Sequence, residues 1–228
     1  MESYVLSEAR KFLITYLKGK KYTNETNYPW RKDWEFVVYH SFRVESYVMK
    51  ILKGEKQKIS SEEVELLRIA AILHDIGRFD DRQQHAKVGA EIVKGWLDEN
   101  YKISSQIKDV EKLLYMIETH SDKEKYEDDF CCKVLKDADI LDEIGVLSIF
   151  MAANRVDNNS PFFFDQLLDR VRKFEIDFCD RKMLKLKTST AKEILKKKKD
   201  FIISFTNQLE DELDGGEDIL DLINKNEY

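Results

Sequence analysis

The chain has four histidines, His40, His74, His85 and His120, and each falls on or beside an apolar helical stripe. Asp75 follows His74 directly, and Asp139 lies in a later apolar run, Val134 to Asp142. One such histidine alone reads as a core residue with a hydrogen-bond partner. Four of them, with an adjacent carboxylate and a further aspartate, need another reason. Buried charge is neutralised, hydrogen-bonded or bound to a metal. Imidazole nitrogens combined with carboxylate oxygens suit a divalent transition ion such as manganese, iron, cobalt or nickel. A pure magnesium or calcium site would be built from oxygens.

The stretch Ala70-Ala71-Ile72-Leu73-His74-Asp75-Ile76-Gly77-Arg78-Phe79 must position the pair. Leu66, Leu67 and Ile69 to Leu73 are apolar almost all round, which predicts a helix buried at the centre of the protein. Ser60 with Glu63 makes a capping box for it. Gly77 is expected to end it in a left-handed conformation, leaving His74 and Asp75 at the rim of the core.

The other elements follow from period and punctuation. A first helix covers 2–18 and stops at Gly19. A loop follows to Lys32, with Asn24, Asn27 and Pro29, and Asp33 caps a helix over 34–53. That helix has the stripe Val37, Val44, Val48 and Ile51, with His40 on it and Arg43 three residues further on. After a polar link, a helix over 84–99 carries His85, Val88, Ile92 and Trp96 on one stripe, and Gly89 implies close packing. A helix over 104–120 ends at His120, and a charged loop runs from Ser121 to Asp129. Leu135, Asp139 and Asp142 share a side of the next helix, and another covers 144–153. Asn158 to Pro161 form a loop ending in a cap and a first-turn proline. A long helical segment runs on to Leu213, and Gly215-Gly216 precede a short last helix. Lys196 to Lys199 read as a solvated face.

Composition agrees with an all-α fold. Two prolines and eight glycines in 228 residues are few, with 43% hydrophobic and 36% charged residues. The length suits one well-buried core. We expect a single domain over 1–228, with a metal-site core at about 33–145 and a helical C-terminal extension at about 160–228. A net charge of −6 argues against general nucleic-acid binding. It allows a small anionic substrate, because a bound divalent cation reverses the local sign. No run predicts a membrane span, and Met1-Glu2-Ser3-Tyr4 is unlike a signal peptide. Cys131, Cys132 and Cys179 read as packing residues in a reducing cytoplasm.

The order His40, His74-Asp75, Asp139 resembles the metal-binding signature of the HD-domain phosphohydrolases. Four segments are closer to the YedJ/YpgQ-type subgroup: His40-Ser41-Phe42-Arg43-Val44, Leu73 to Arg78, His85-Ala86 with Gly89-Ala90-Glu91-Ile92, and Asp137-Ala138-Asp139 with Leu141-Asp142 and Ile144-Gly145. The tail, with Leu167-Leu168, Thr188, Thr190-Ala191, Phe201 and Phe205, is a looser match. The resemblance covers about Asp33 to Leu213.

It implies an HD-domain helical bundle and metal-dependent hydrolysis of a nucleotide phosphate ester or anhydride, as a nucleoside triphosphate pyrophosphohydrolase or nucleotidase. His40, His74, Asp75 and Asp139 carry over as metal ligands. His85 and His120 match positions that hold a second ion or face the substrate phosphate. Manganese is the leading ion, with iron, cobalt, nickel or magnesium as alternatives.

A metal-activated water is the nucleophile in this reading, and Asp75 can also accept a proton. Arg43 and Arg78 are the first candidates to stabilise phosphoryl charge. Lys136, Arg82 and Lys87 are weaker ones, for which a surface charge or ion pair is the plainer reading. Asp137 and Asp142 would steady the ligands or cap a helix. The loop Lys123 to Asp129 is acidic where a basic phosphate-binding loop is expected. The alternatives are a phosphodiesterase on a cyclic or dinucleotide substrate and a non-catalytic HD-type module. A homodimer is left open.

Overall fold

The computed structural model describes residues 3–22, 28–124 and 129–214. The expected loop asparagines Asn24 and Asn27, the middle of the Ser121–Asp129 loop, and the Gly215-Gly216 break with its last helix lie outside the described residues. Within them the secondary structure is helical, with one isolated β-bridge between Lys21 and Asp33. No helix there is long and apolar enough to cross a membrane. The chain divides into two compact units, residues 1–142 with 183–194, and residues 143–182 with 195–228.

The first unit is built around α3 (Ser61–Leu73), which begins at the Ser60–Glu63 capping box and buries Leu66, Leu67 and Ile69 to Leu73. It packs against α1 (Tyr4–Leu17), α2 (Trp34–Gly54), α6 (Val110–Thr119) and α7 (Phe130–Leu141). Neighbours on several sides explain why α3 is apolar almost all round. Each large aliphatic side chain buried this way contributes about 1.5–3 kcal/mol. Helix α2 buries Val37, Val44, Val48 and Ile51 as expected. Gly19 ends α1 with a positive φ of 80°. Asp33 stands at the N-cap of α2, but its side chain pairs with Lys21 at 2.9 Å instead of capping.

Four local expectations are corrected. Gly77 does not take a left-handed conformation; among the described residues the positive-φ glycines are Gly19 and Gly145. Its lack of a side chain serves close approach. A Cβ on Gly77 would lie 2.5 Å from the His85 carbonyl oxygen and 2.6 Å from the Gly89 nitrogen, on α4 (His85–Glu99). The buried stripe of α4 is Ala86, Gly89, Ala90, Val93 and Leu97, one residue round from the expected one. Small residues at 86, 89 and 90 allow that close approach, whereas Trp96 lies to the side and stacks on Phe12 at 4.6 Å. The helix expected over 104–120 starts only at Val110, as α6, after the short α5 (Tyr101–Ser104), because the Asp109 side chain accepts from Lys112 N at 2.8 Å and starts a new helix. Pro161 lies in the turn before α9 (Phe163–Arg170), whose N-cap is Phe162, and not in its first turn.

The C-terminal segment is also not continuous. After α9 come a π-helical turn (Val171–Glu175), α10 (Ile176–Lys185) and α11 (Ser189–Leu213). The break at 186–188 is fixed in the first unit by buried Asp137. It accepts from Lys187 N at 3.0 Å, and from Thr188 N and Thr188 Oγ1 at 2.7 Å each. Glu55 likewise accepts from Thr190 N at 2.6 Å. In the second unit, α8 (Val146–Ala153) packs on the π-helical turn. The lysine run there is not wholly solvated: Lys198 donates to the Ile144 carbonyl at 2.9 Å, and Lys199 pairs with Asp180. Cys131, Cys132 and Cys179 are buried free thiols.

Candidate metal centre

The first unit brings all four histidines together, three of them at helix ends. His74 caps the C-terminus of α3 and His120 that of α6, while His85 opens α4. His40 comes from the middle of α2. The rings form a chain, His40 to His74 at 5.1 Å, His74 to His120 at 4.8 Å and His120 to His85 at 5.2 Å between centroids.

Three of the four are held by one local device. Each Nδ1 meets the backbone carbonyl three residues earlier: His74 with Ala71 at 2.8 Å, His85 with Arg82 at 3.1 Å and His120 with Ile117 at 2.7 Å. A carbonyl can only accept, so each Nδ1 carries a proton, which turns Nε2 toward the centre as the atom free to ligate. The fourth, His40, sets its Nδ1 2.7 Å from Asp142 Oδ2. Asp142 in turn takes two bonds from Arg43, Nε to Oδ1 and Nη2 to Oδ2, both at 2.8 Å.

All four Nε2 atoms therefore face inward, toward carboxylates. His40 Nε2 is 3.1 Å from His74 Nε2, 3.3 Å from Asp139 Oδ1 and 3.5 Å from Asp75 Oδ2. His85 Nε2 and His120 Nε2 stand 3.3 and 3.5 Å from the other oxygen, Asp75 Oδ1. That oxygen is buried and has no hydrogen-bond partner. The neutral His85 and His120 nitrogens aimed at an orphaned carboxylate oxygen repel it unless a positive charge lies among them. A divalent cation held within such a donor set would supply that charge, so the residues fit a metal.

Among the described residues, three overlapping groups have donor atoms within 4.8 Å of one another: His40, His74 and Asp75; His74, His120 and Asp139; and Asp75, His85 and His120. Asp75 thus faces two donor sets, one through each oxygen.

The electrostatics favour a cation. Burial would lower His40, but its bonds to Asp139 and Asp142 and the Asp75 charge raise it to about 10. Burial would raise Asp75, yet Arg78 and the neighbouring imidazoles hold it well below the usual carboxylate range. Asp139 is likewise low, against its burial, because of Lys123 and the bonds from His40 and His74. Asp142 falls to about 2 through its bonds to His40 and Arg43, again against burial. Burial pushes His120 down to about 4 and lowers His85, so both present neutral nitrogen at pH 7.

The remaining sequence candidates divide. Arg78 pairs through Nη1 with Asp75 Oδ2 at 2.9 Å and is more than a third exposed. Arg43 is bound to Asp142. Lys136 is buried on α7, and Arg82 and Lys87 are exposed. Asp137 does not reach the ligands; it anchors the segment before α11, as described above.

Lys123 is the residue that sequence reasoning placed only in an acidic loop. Its Nζ lies 2.6 Å from Asp139 Oδ2 and donates to the His120 carbonyl at 2.6 Å. Its spacing three residues after His120 was the available signal.

Asp142→Asn tests the support of His40, since it keeps the shape and removes the charge. The affinity for a divalent ion is expected to fall about 10- to 100-fold, read by calorimetric titration.

Residues 37–144 match the HD domain family. Among curated proteins no sequence matches the chain. Several solved structures are similar. An HD-superfamily hydrolase, so described as predicted, from an uncultured Thermotogales bacterium is 22% identical with a TM-score of 0.60, over 91% of this chain and 92% of that one. An HD-superfamily hydrolase from Bacillus thuringiensis is 19% identical with a TM-score of 0.60, over 92% and 97%. Bacillus subtilis YpgQ in complex with ADP is 18% identical with a TM-score of 0.57, over 92% and 96%. At these identities the likeness is one of fold.

Proposed function

We propose that this chain, whose residues 37–144 match the HD domain family, is an HD-type metal-dependent phosphohydrolase acting on nucleotides, releasing pyrophosphate or orthophosphate. The observation that carries the reading is the inward set of four Nε2 atoms around Asp75, whose buried Oδ1 has no hydrogen-bond partner. His40, His74, Asp75 and Asp139 would hold the first ion, with His85 and His120 available to a second ion or to the substrate phosphate. When bound, a divalent ion supplies a strong nucleophile from water near neutral pH and a counter-charge for phosphoryl oxygens.

The chain's own residues do the rest. Arg78 spends one nitrogen on Asp75, and its exposed N–H groups can bond a phosphoryl oxygen bidentately. Lys123 adds a cation beside Asp139. Arg43 acts through Asp142 on His40, which makes it a positioning residue and moves it away from the substrate-binding role expected from sequence. Asp75 accepts the proton that the attacking water loses. Manganese is the leading ion, and the donor set of nitrogen and oxygen suits it. Three free buried cysteines agree with a reducing cytoplasm. The ADP held by YpgQ supports a nucleotide substrate.

The test is product analysis. Metal-free protein reloaded with Mn²⁺ is incubated with nucleoside mono-, di- and triphosphates. We expect pyrophosphate plus monophosphate, or orthophosphate, with turnover abolished by a chelator and restored by added ion. Turnover that survives the chelator would refute a metal-dependent reaction. The diesterase reading is favoured by one observation, the two Asp75 oxygens facing two donor sets. Two ions per chain and cleavage of a cyclic or dinucleotide substrate would establish it instead.

A further inference from the structure

A cavity of about 530 Å³ opens at the N-terminal end of α2, lined by Lys20, Lys21, Trp30, Glu35, Phe36 and Tyr39 among others. Its size is within the range of small-ligand sites. Trp30 is 40% exposed and Tyr39 68% exposed, so two large aromatic side chains on this wall are not spent on core packing. The wall and the metal centre draw residues from the same helix, α2. Tyr39 directly precedes His40, and Phe36 lies one turn before it, about 6 Å along the axis. The Phe36 ring is 5.8 Å from the Arg43 guanidinium, which holds Asp142, which holds His40. Arg31 sits 5.5 Å from the same ring and 4.7 Å from Tyr28.

The charges say what kind of group fits. Lys20 pairs with Asp80 at 2.8 Å and Lys21 with Asp33 at 2.9 Å. The lining holds two lysines and two carboxylates, Asp33 and Glu35, so it carries no net charge toward a ligand. A phosphate gains nothing there. A flat, uncharged ring that stacks on tryptophan and tyrosine, with an amino edge for Glu35, gains a good deal.

We propose that this cavity receives the nucleobase of the substrate, while the phosphates reach the His/Asp cluster one helical turn away. The proposal rests on the nucleotide phosphohydrolase reading. It assigns base selection to Trp30 and Tyr39, and the reaction itself to the metal centre.

The test compares a nucleoside triphosphate with inorganic tripolyphosphate, which has no base. In Trp30→Ala and Tyr39→Ala the ratio of their kcat/KM values is expected to fall tenfold or more. An unchanged ratio in both variants overturns the proposal. A second readout needs no turnover: adenosine and guanosine should quench tryptophan fluorescence saturably, and Tyr39→Ala should weaken that binding tenfold or more. If nucleosides bind this way while no phosphate compound is hydrolysed, the cavity assignment stands and the phosphohydrolase reading fails. If nucleosides give no saturable quench, the cavity assignment fails.

Discussion

His74→Ala is expected to lower turnover by about a thousandfold or more while leaving the helical fold in place. His74 is fully buried, and its Nε2 is part of two of the three donor groups. Removing it takes a nitrogen from the centre, so the loss should appear in kcat and in bound metal alike. The structural cost is smaller. The Ala71 carbonyl loses its side-chain partner, worth about 1–3 kcal/mol for a buried group. A domain's total stability is typically about 5–15 kcal/mol. The helical circular dichroism signal should therefore persist while activity disappears. Retained activity would refute the ligand assignment.

The second large effect is on stability. In Gly77→Ala the new methyl would meet two backbone atoms, the His85 oxygen at 2.5 Å and the Gly89 nitrogen at 2.6 Å. Backbone cannot rotate aside as a side-chain tip can, so α4 must shift. Overpacking of this kind costs about 1–3 kcal/mol. For a chain of this size that is a drop in Tm of about 2–12 °C. The shift also carries His85 away from Asp75. Gly95→Ala on the same helix is the control. A Cβ there meets nothing within 4 Å, and alanine favours helix by about 1 kcal/mol over glycine, so its Tm should hold or rise.

The central helix and the histidines and aspartates that cluster at its end were legible because both rest on local signals. An all-round apolar run with a capping box predicts a buried helix, and the structure places it among α1, α2, α6 and α7. Four histidines beside carboxylates predict a metal, and the fold gathers their Nε2 atoms. What stayed hidden depends on tertiary contact. The stripe of α4 was read from its bulky residues, but the small ones, Ala86, Gly89 and Ala90, face the core because Gly77 approaches there. Gly77 itself looked like a helix terminator, and only the position of α4 reveals its packing role. Arg43 looked free for substrate by its closeness to His40, and pairing with Asp142, 99 residues away, assigns it elsewhere. Lys123 was masked by the acidic residues around it. The break before α11 depends on Asp137 reaching a backbone 50 residues on.

The measurement that bears most directly on the account is a calorimetric titration of metal-free protein with Mn²⁺, run in buffers of different ionisation enthalpy and repeated with His74→Ala. Metal ligands must shed their protons, and His40 is raised to about 10. Below that pH its proton competes with the ion, so binding near neutral pH should release close to one proton from His40, and affinity should climb as pH rises toward 10. The account predicts saturable binding of at least one ion per chain with proton release, lost in His74→Ala. Absence of saturable binding, or the same isotherm in wild type and His74→Ala, would contradict it.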